Sequence, residues 1–442
     1  IVDFPNKDEF TAHADSDYEN TIYAKFFRDY PNFIGFNYSE QFWGFESADF
    51  HVTPLQRYQH FANLLKLCNK YGGYLNINWC ANRWSASLNP VAMLKRCPEW
   101  RSACEQYSGN LQLEEKYTQG SFIQDVESEV FGAYVSGYCG NFGVRYDETG
   151  WTDRSADDKP LSTKEQFRQI TGLPIYLERM AFNGATIIDG PELVWQDDFK
   201  ETWGGVKDSE GYSCRNWETR EQYVNDTLNF FRKIIDGTIR IPSRQEVVDR
   251  TKVVIIQDNE SGDDHNKYST YKSLFEGLYR MSGDGNLWDN KNLYKSTGRY
   301  PTIPTVYALK DDIAKSFKFQ IKQSEIPSRW SDIAKKQEEF NNIFESDYYG
   351  NCYAGRYENT WVAYNPNKDG SNCGAVLSLK YNTCKNLDVN FNEYGNALIK
   401  EYSDRIDIYA NNFDEKAQTT LRTDTFKISG CSSKPSYSAK DT

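Results

Sequence analysis

Apolar and polar positions in the first half of the chain alternate between two rhythms. Phe33–Phe36 is a short apolar run that reads as a buried strand, and it breaks into Asn37, Tyr38, Ser39, Glu40 and Gln41 before Phe42, Trp43 and Phe45. From Pro54 to Tyr71 the residues Leu55, Tyr58, Phe61, Ala62, Leu64, Leu65 and Cys68 recur at helical spacing, and Gly72-Gly73 stops the helix. Tyr74–Trp79 reads as the next strand, running out into Asn76, Asn78, Trp79, Arg83 and Trp84. Pro90–Glu105 reads as helical. Phe131–Ser136 and Phe142–Asp147 bracket a further strand region. Ser162–Phe182 is expected to be a helix interrupted at Gly172 and Pro174, and Ala185–Asp189 a strand entering a tight turn at Gly190-Pro191-Glu192. Asn225–Ile235 is amphipathic, and Lys252–Asp258 is the clearest buried strand.

Strand, polar end, loop and helix in repetition predict an α/β fold, specifically a (β/α)8 TIM-type barrel that exposes its chemistry at the C-terminal ends of its strands. A doubly wound sheet shares the rhythm, but no Gly-rich phosphate loop follows any strand. Beyond Tyr349 the texture changes to short alternating runs (360–364, 375–379, 387–391, 406–409 and 425–428) separated by Asn, Gly and Asp, the pattern of an antiparallel β-sandwich. The expected domains are a catalytic barrel over 1–310, a helical connector over 311–345 and a β-sandwich over 346–442.

Composition narrows the function. A formal net charge of −12 over 442 residues disfavours nucleic acid, which demands a basic face. No run of 18 apolar residues occurs, so no membrane insertion is expected. Tyr, Phe and Trp make up 15% of the chain, and so many aromatic rings among polar loops suit a carbohydrate-binding surface. Ten cysteines and four histidines show no metal-ligand spacing, so no zinc site is expected. The nearest local disulfide candidates are Cys97–Cys104 and Cys373–Cys384, with buried free thiols the alternative.

Four acids stand where strands are inferred to end: Glu40, Asp147, Asp189 (with Glu192 just beyond) and Asp258. Two carboxyl functions across a scissile bond, one protonated and one ionised, are what glycoside cleavage requires, and flat rings stack on pyranose faces. Each acid also has a structural reading. Glu40 suits a cap or surface ion pair, Asp147 an Asx turn, Asp189 a turn former and Asp258 a solvated acidic loop. Glu127 and Glu129 read as the polar face of a strand or helix turn. Arg145, two residues before Asp147 on an alternating strand, points to the same side and would hold that acid ionised.

Several stretches together resemble glycoside hydrolase family 98. They are Asn37–Gly44 (NYSEQFWG), Val135-Ser136-Gly137, Gly143–Trp151 (GVRYDETGW), Ile241–Val247 and Arg250–Val253. In the C-terminal part they are Glu358–Pro366, Lys380–Cys384 and Ser433–Tyr437. The resemblance covers nearly the whole chain. It implies the barrel with an appended sandwich, and an inverting endo-β-1,4-galactosidase that releases blood-group A/B or Lewis-type oligosaccharides from host glycans. The same family also cuts xylan, and a non-catalytic glycan-binding barrel is the other alternative.

Carried over, the resemblance makes Glu40 the acid and Asp147 the base, with Glu192 or the nearby Asp189 as a second acid holding the water. Trp43, Trp79, Trp84, Trp151 and Trp195 become candidate stacking platforms, and Asn76, Asn78, Arg83 and Arg145 candidate partners of sugar hydroxyls; the mechanism so implied needs no metal or organic cofactor. A bacterial protein, secreted or on the cell surface and longer than this chain, is expected. Its partner would be a mucin-type or cell-surface glycan.

Overall fold

The computed structural model describes residues 18–41, 53–79, 90–117, 123–146, 173–189, 199–207, 209–219, 228–258, 301–307, 315–330, 332–344, 347–350, 352–365, 373–391, 395–412 and 423–440. Its N-terminal part alternates helix and strand as expected: α1 (Ile22–Asp29), β1 (Gly35–Gln41), α2 (Pro54–Tyr71), β2 (Tyr74–Trp79), α3 (Pro90–Arg96), α4 (Pro98–Tyr107), β3 (Leu111–Tyr117), α5 (Ile123–Val135), β4 (Asn141–Tyr146), α6 (Leu173–Phe182) and β5 (Ile187–Asp189). Strands β1 to β5 lie side by side in chain order, every neighbouring pair parallel.

Local chemistry fixes these boundaries. Thr53 caps α2 through a reciprocal box with Gln56, Pro54 opens the first turn, and Gly72 closes the helix at φ 71°. Pro98 separates α3 from α4, so the single helix read over Pro90–Glu105 is two. Gly35 sits at φ 141°, and a Cβ there would run into the Tyr74 backbone, so β1 begins only at this residue. The apolar Phe33 and Ile34 precede the strand, which runs on through Asn37 to Gln41. The stretch around Phe131–Ser136 is the end of helix α5 and not a strand. Its Gly132 packs so closely on the Thr305 backbone that a side chain would collide with it.

An antiparallel hairpin, β6 (Phe199–Lys207) and β7 (Ser213–Thr219), is followed by α7 (Asn229–Ile235) and α8 (Arg244–Arg250). Strand β8 (Val253–Gln257) is buried throughout, as its run of apolar residues predicts. The barrel reading places β8 in the main sheet. The structure puts it instead at the centre of a separate three-stranded parallel sheet, between β9 (Thr305–Tyr307) and β10 (Phe319–Lys322). That sheet packs on the side of α5 away from β3 and β4: Ser128 donates to the Ile303 carbonyl at 2.6 Å and shares a 2.8 Å hydrogen bond with Thr305. The described residues thus form five adjacent parallel strands with a helical layer and a second small sheet behind it. Of residues 311–345, β10 is extended, and α9 (Ile326–Arg329) and α10 (Ile333–Ile343) are helical.

The C-terminal part pairs two four-stranded antiparallel sheets. One has the order β11 (Tyr348–Gly350), β14 (Cys373–Ser378), β15 (Asn386–Phe391), β18 (Thr425–Ser429), and the other β12 (Tyr353–Tyr357), β13 (Thr360–Tyr364), β16 (Gly395–Glu401), β17 (Ile406–Asn412). Trp361, Leu377, Leu387, Val389, Phe391 and Ile399 fill the core between them. The outer face of the second sheet contributes Tyr357, Val362, Tyr364 and Leu398 to the core of the N-terminal part. This double burial explains why all five residues of β13 are covered. Phe182 and Tyr357 stack across the junction with centroids 5.0 Å apart. The one disulfide among the described residues, Cys384–Cys431, joins this domain to its own C-terminal segment. It replaces the Cys373–Cys384 pairing considered from sequence, while Cys97 and Cys104 are buried thiols.

Candidate functional site at the strand ends of the parallel sheet

Side chains of β1 to β5 alternate between the helical layer and the opposite face. Leu75, Ile77, Leu111, Leu113, Phe142 and Val144 turn to the helices and are buried there. The intervening positions are mostly polar, Gly143 and Ile187 being the exceptions. Register aligns Asn37 with Asn76 and Asn76 with Gln112, Asn78 with Glu114, and Arg145 with Asp189. The result is a continuous polar cluster. Asn76 Nδ2 donates to Glu114 Oε2 at 3.0 Å and to Asn37 Oδ1 at 3.3 Å, and Asn78 Nδ2 reaches Glu114 Oε2 at 3.5 Å. Arg145 pairs with Asp189 Oδ2 at 2.6 Å, and the same oxygen accepts from Asn37 Nδ2 at 3.2 Å.

The cluster is graded in depth. Asn78 and Glu114 are fully buried, the Arg145 side chain is 12% exposed and Asp189 31%. Burial pushes the Glu114 carboxyl up to about 7, and the negative charge of Asp189 adds to it, against hydrogen bonds from Asn76 and Asn78 and the charge of Arg145. Glu114 Oε1, Asn76 Oδ1 and Arg145 Nε are buried with no hydrogen-bond partner.

Strand β1 is held from behind. Tyr38, on its helix-facing side, bonds His60 Nε2 at 3.0 Å, and Tyr18 bonds His60 Nδ1 at 2.6 Å. Burial, with the Arg57 charge adding to it, holds the imidazole well below its usual range, so it is neutral. One phenol therefore donates to it and the other accepts, which locks the strand that carries Glu40 two residues later.

Of the residues singled out from sequence, the structure brings Asn76, Asn78, Arg145 and Asp189 together. Glu40 lies on β1 and Trp79 ends β2. Trp43, Arg83, Trp84, Asp147, Trp151, Glu192 and Trp195 lie outside the described residues. Arg145, read as the partner of Asp147, contacts Asp189 on the neighbouring strand. Asp258, just after β8, accepts from the Ser324 backbone N–H at 2.9 Å and hydroxyl at 2.6 Å, which ties the end of β8 to the residues after β10. Glu127 and Glu129 belong to buried turns of α5. Glu127 forms an internal pair with Arg179, with Thr302 at 2.5 Å. Glu114 was missed. Its signal is the alternation Leu111-Gln112-Leu113-Glu114, which places a polar row on the same face as Asn76 and Asn78.

Among the described residues no group of three His, Cys, Asp or Glu could hold a metal ion, and no helix is long and apolar enough to cross a membrane.

Residues 4–242 match the family model described as Glycosyl hydrolase family 98, and residues 244–442 match that of the Glycosyl hydrolase family 98 C-terminal domain. The chain belongs to glycosyl hydrolase family 98. This family 98 chain is 23% identical over 333 residues to the Blood-group-substance endo-1,4-beta-galactosidase of Clostridium perfringens, a match that takes in 69% of the chain and 36% of that relative. It thus spans about a third of the relative's length.

Its fold is similar to the catalytic module of a family 98 glycoside hydrolase from Streptococcus pneumoniae TIGR4. The native module aligns with a TM-score of 0.63 at 20% identity, over 90% of this chain and 65% of that one. The same module in complex with the LewisY pentasaccharide blood group antigen gives 0.63 at 20% identity over 90% and 66%. Its complex with the H-disaccharide gives 0.62 at 21% over the same shares. The family boundary at 242/244 falls just before α8, so the second parallel sheet lies within the C-terminal family unit.

Proposed function

We propose that this family 98 chain is an inverting endo-β-1,4-galactosidase that releases blood-group oligosaccharides from glycans, and that its active site is the C-terminal edge of the sheet β1 to β5. The observation that carries this reading is the graded polar cluster at that edge, in which Asn76, Asn78, Glu114, Arg145 and Asp189 are assembled with buried, unpartnered polar atoms. Glu40 leaves the same edge on β1, Asp147 follows directly after β4, and Glu192 lies three residues beyond β5.

Glu40 acts as the general acid on the leaving glycosidic oxygen. Asp147 removes a proton from the water attacking the opposite face of the galactosyl ring. Asp189 is already committed to Arg145 and Asn37 through one oxygen, so Glu192 is the better second acid for that water. Strands β1 and β4 are three spacings apart, roughly 14 Å between backbones. Closure of β1 to β5 into a full (β/α)8 barrel, a secreted or cell-surface location and a mucin-type or cell-surface glycan partner belong to the same reading. The disulfide Cys384–Cys431 supports the location.

The test is a substrate panel of A, B, H and Lewis-type oligosaccharides beside xylan, with the anomeric configuration of the first product followed by proton NMR. Cleavage of an internal galactosidic bond with inverted product is expected. Xylan cleavage alone would move the chain to the xylanase reading, and tight binding without product to a glycan-binding barrel.

A further inference from the structure

We propose that Cys352 and Cys373 form a second disulfide of the β-sandwich. Strands β11 and β14 pair antiparallel with Tyr348 opposite Leu377, Tyr349 opposite Val376 and Gly350 opposite Ala375. Extended by two positions past the end of β11, that register would set Cys352 opposite Cys373. Opposed residues of an antiparallel pair have Cα atoms about 4.5–5.5 Å apart, inside the about 4.4–6.8 Å that a disulfide spans. The two side chains lie in the same buried cluster between the sheets, close enough for Cys352 to act on the Cys373 sulfur. Both are free thiols here, buried in the core between the sheets at 4% and 2% exposure. The same domain already carries Cys384–Cys431, so a setting that oxidises one pair oxidises the other.

The reaction is thiol–disulfide exchange. One cysteine thiolate attacks an incoming disulfide such as oxidised glutathione and releases one glutathione thiol. The second cysteine then displaces the other glutathione, leaving one S–S bond in the protein and two reduced glutathione molecules. Contact with Cys352, together with burial, holds the Cys373 thiol far above its usual range in the folded domain, so exchange belongs to folding, before the sheets close. The bond closes a loop that contains β12 and β13, the first hairpin of the opposite sheet, and so staples the crossover between the sheets. It also ties down the segment that meets the N-terminal part, where Asp347, Tyr348, Ala354, Arg356 and Tyr357 line a cavity of about 220 Å³ with Arg250.

The test is tryptic mapping, without reduction, of the chain refolded in a glutathione redox buffer until the Cys384–Cys431 link is complete. Residues 337–356 and 369–380 are separate tryptic peptides with one cysteine each, as are 381–385 and 428–440, which carry the known pair. The expected result is a linked 337–356/369–380 species beside linked 381–385/428–440. Alkylated, unlinked 337–356 and 369–380 peptides in that sample would overturn the proposal, as would either one linked to another cysteine. As a second readout, the sandwich of the oxidised parent should melt roughly 5–10 °C above a Cys352→Ala/Cys373→Ala double variant in the same buffer. Equal midpoints would count against the staple.

Discussion

Glu114 is the residue whose environment does most to define the site. With its carboxyl raised from 4.5 to about 7, the folded chain keeps a proton there that the unfolded chain has lost. The sign follows from linkage: between those values the native state binds more protons, so stability falls as pH rises from about 4.5 to 7. The shift corresponds to roughly 3 kcal/mol at about 1.4 kcal/mol per pH unit. Glu114→Gln keeps the hydrogen-bonding shape without the titration, so its stability should be flatter over that window in denaturant unfolding at stepped pH. An unchanged slope would mean Glu114 is not the titrating group. Glu114 was hard to read from sequence because Leu111-Gln112-Leu113-Glu114 looks like a half-exposed strand. Only the register with Asn76 and Asn78 turns its polar face into a site wall. The opposite holds for Asn76, Asn78, Arg145 and Asp189. They close strands whose apolar partners are plain in the sequence, and the structure brings them together.

Among the elements, helix α2 and strands β2, β8, β13 and β15 could be read directly, because each has one dominant period or an unbroken apolar run between clear stops. Helix α5 could not. Its Phe131-Gly132-Ala133-Tyr134-Val135 end is apolar on every side because it is covered by β3 and β4 on one face and by the Ile303–Thr305 segment on the other. Complete burial erases the helical period and imitates a strand. The same burial explains Glu127. Desolvation raises its carboxyl, while Arg179, Thr302 and Asn183 oppose that shift, and the network joins α5, α6 and the strand β9 segment. Arg179→Met should cost about 3–5 kcal/mol by leaving the carboxyl without its cation. The double variant Glu127→Gln/Arg179→Met should recover most of that. Guanidinium unfolding of the three proteins checks it, and a loss below about 1 kcal/mol in the single variant would show that the pair is not holding the helices together.

On the scale of the whole molecule, the sandwich was legible from its short alternating strands, and the α/β character from its repeated strand–helix rhythm. Membership of the three-stranded sheet was not, because a buried parallel strand such as β8 carries the same apolar run whichever sheet accepts it. The domains share one continuous core through Tyr357, Val362, Tyr364 and Leu398, so the parallel sheet rests on the sandwich through a common packed layer. Within that frame the central claim is chemical: the strand ends of β1 and β4 carry the acid and base of a glycosidase. The most direct measurement is the rate of oligosaccharide release from a blood-group glycan by the parent, Glu40→Gln and Asp147→Asn, each shown to keep the parent's unfolding midpoint. A loss of about two to four orders of magnitude in both variants is the expected result. Release within tenfold of the parent by either one would contradict the assignment and move that role to another carboxyl of the same edge, Glu114 or Asp189.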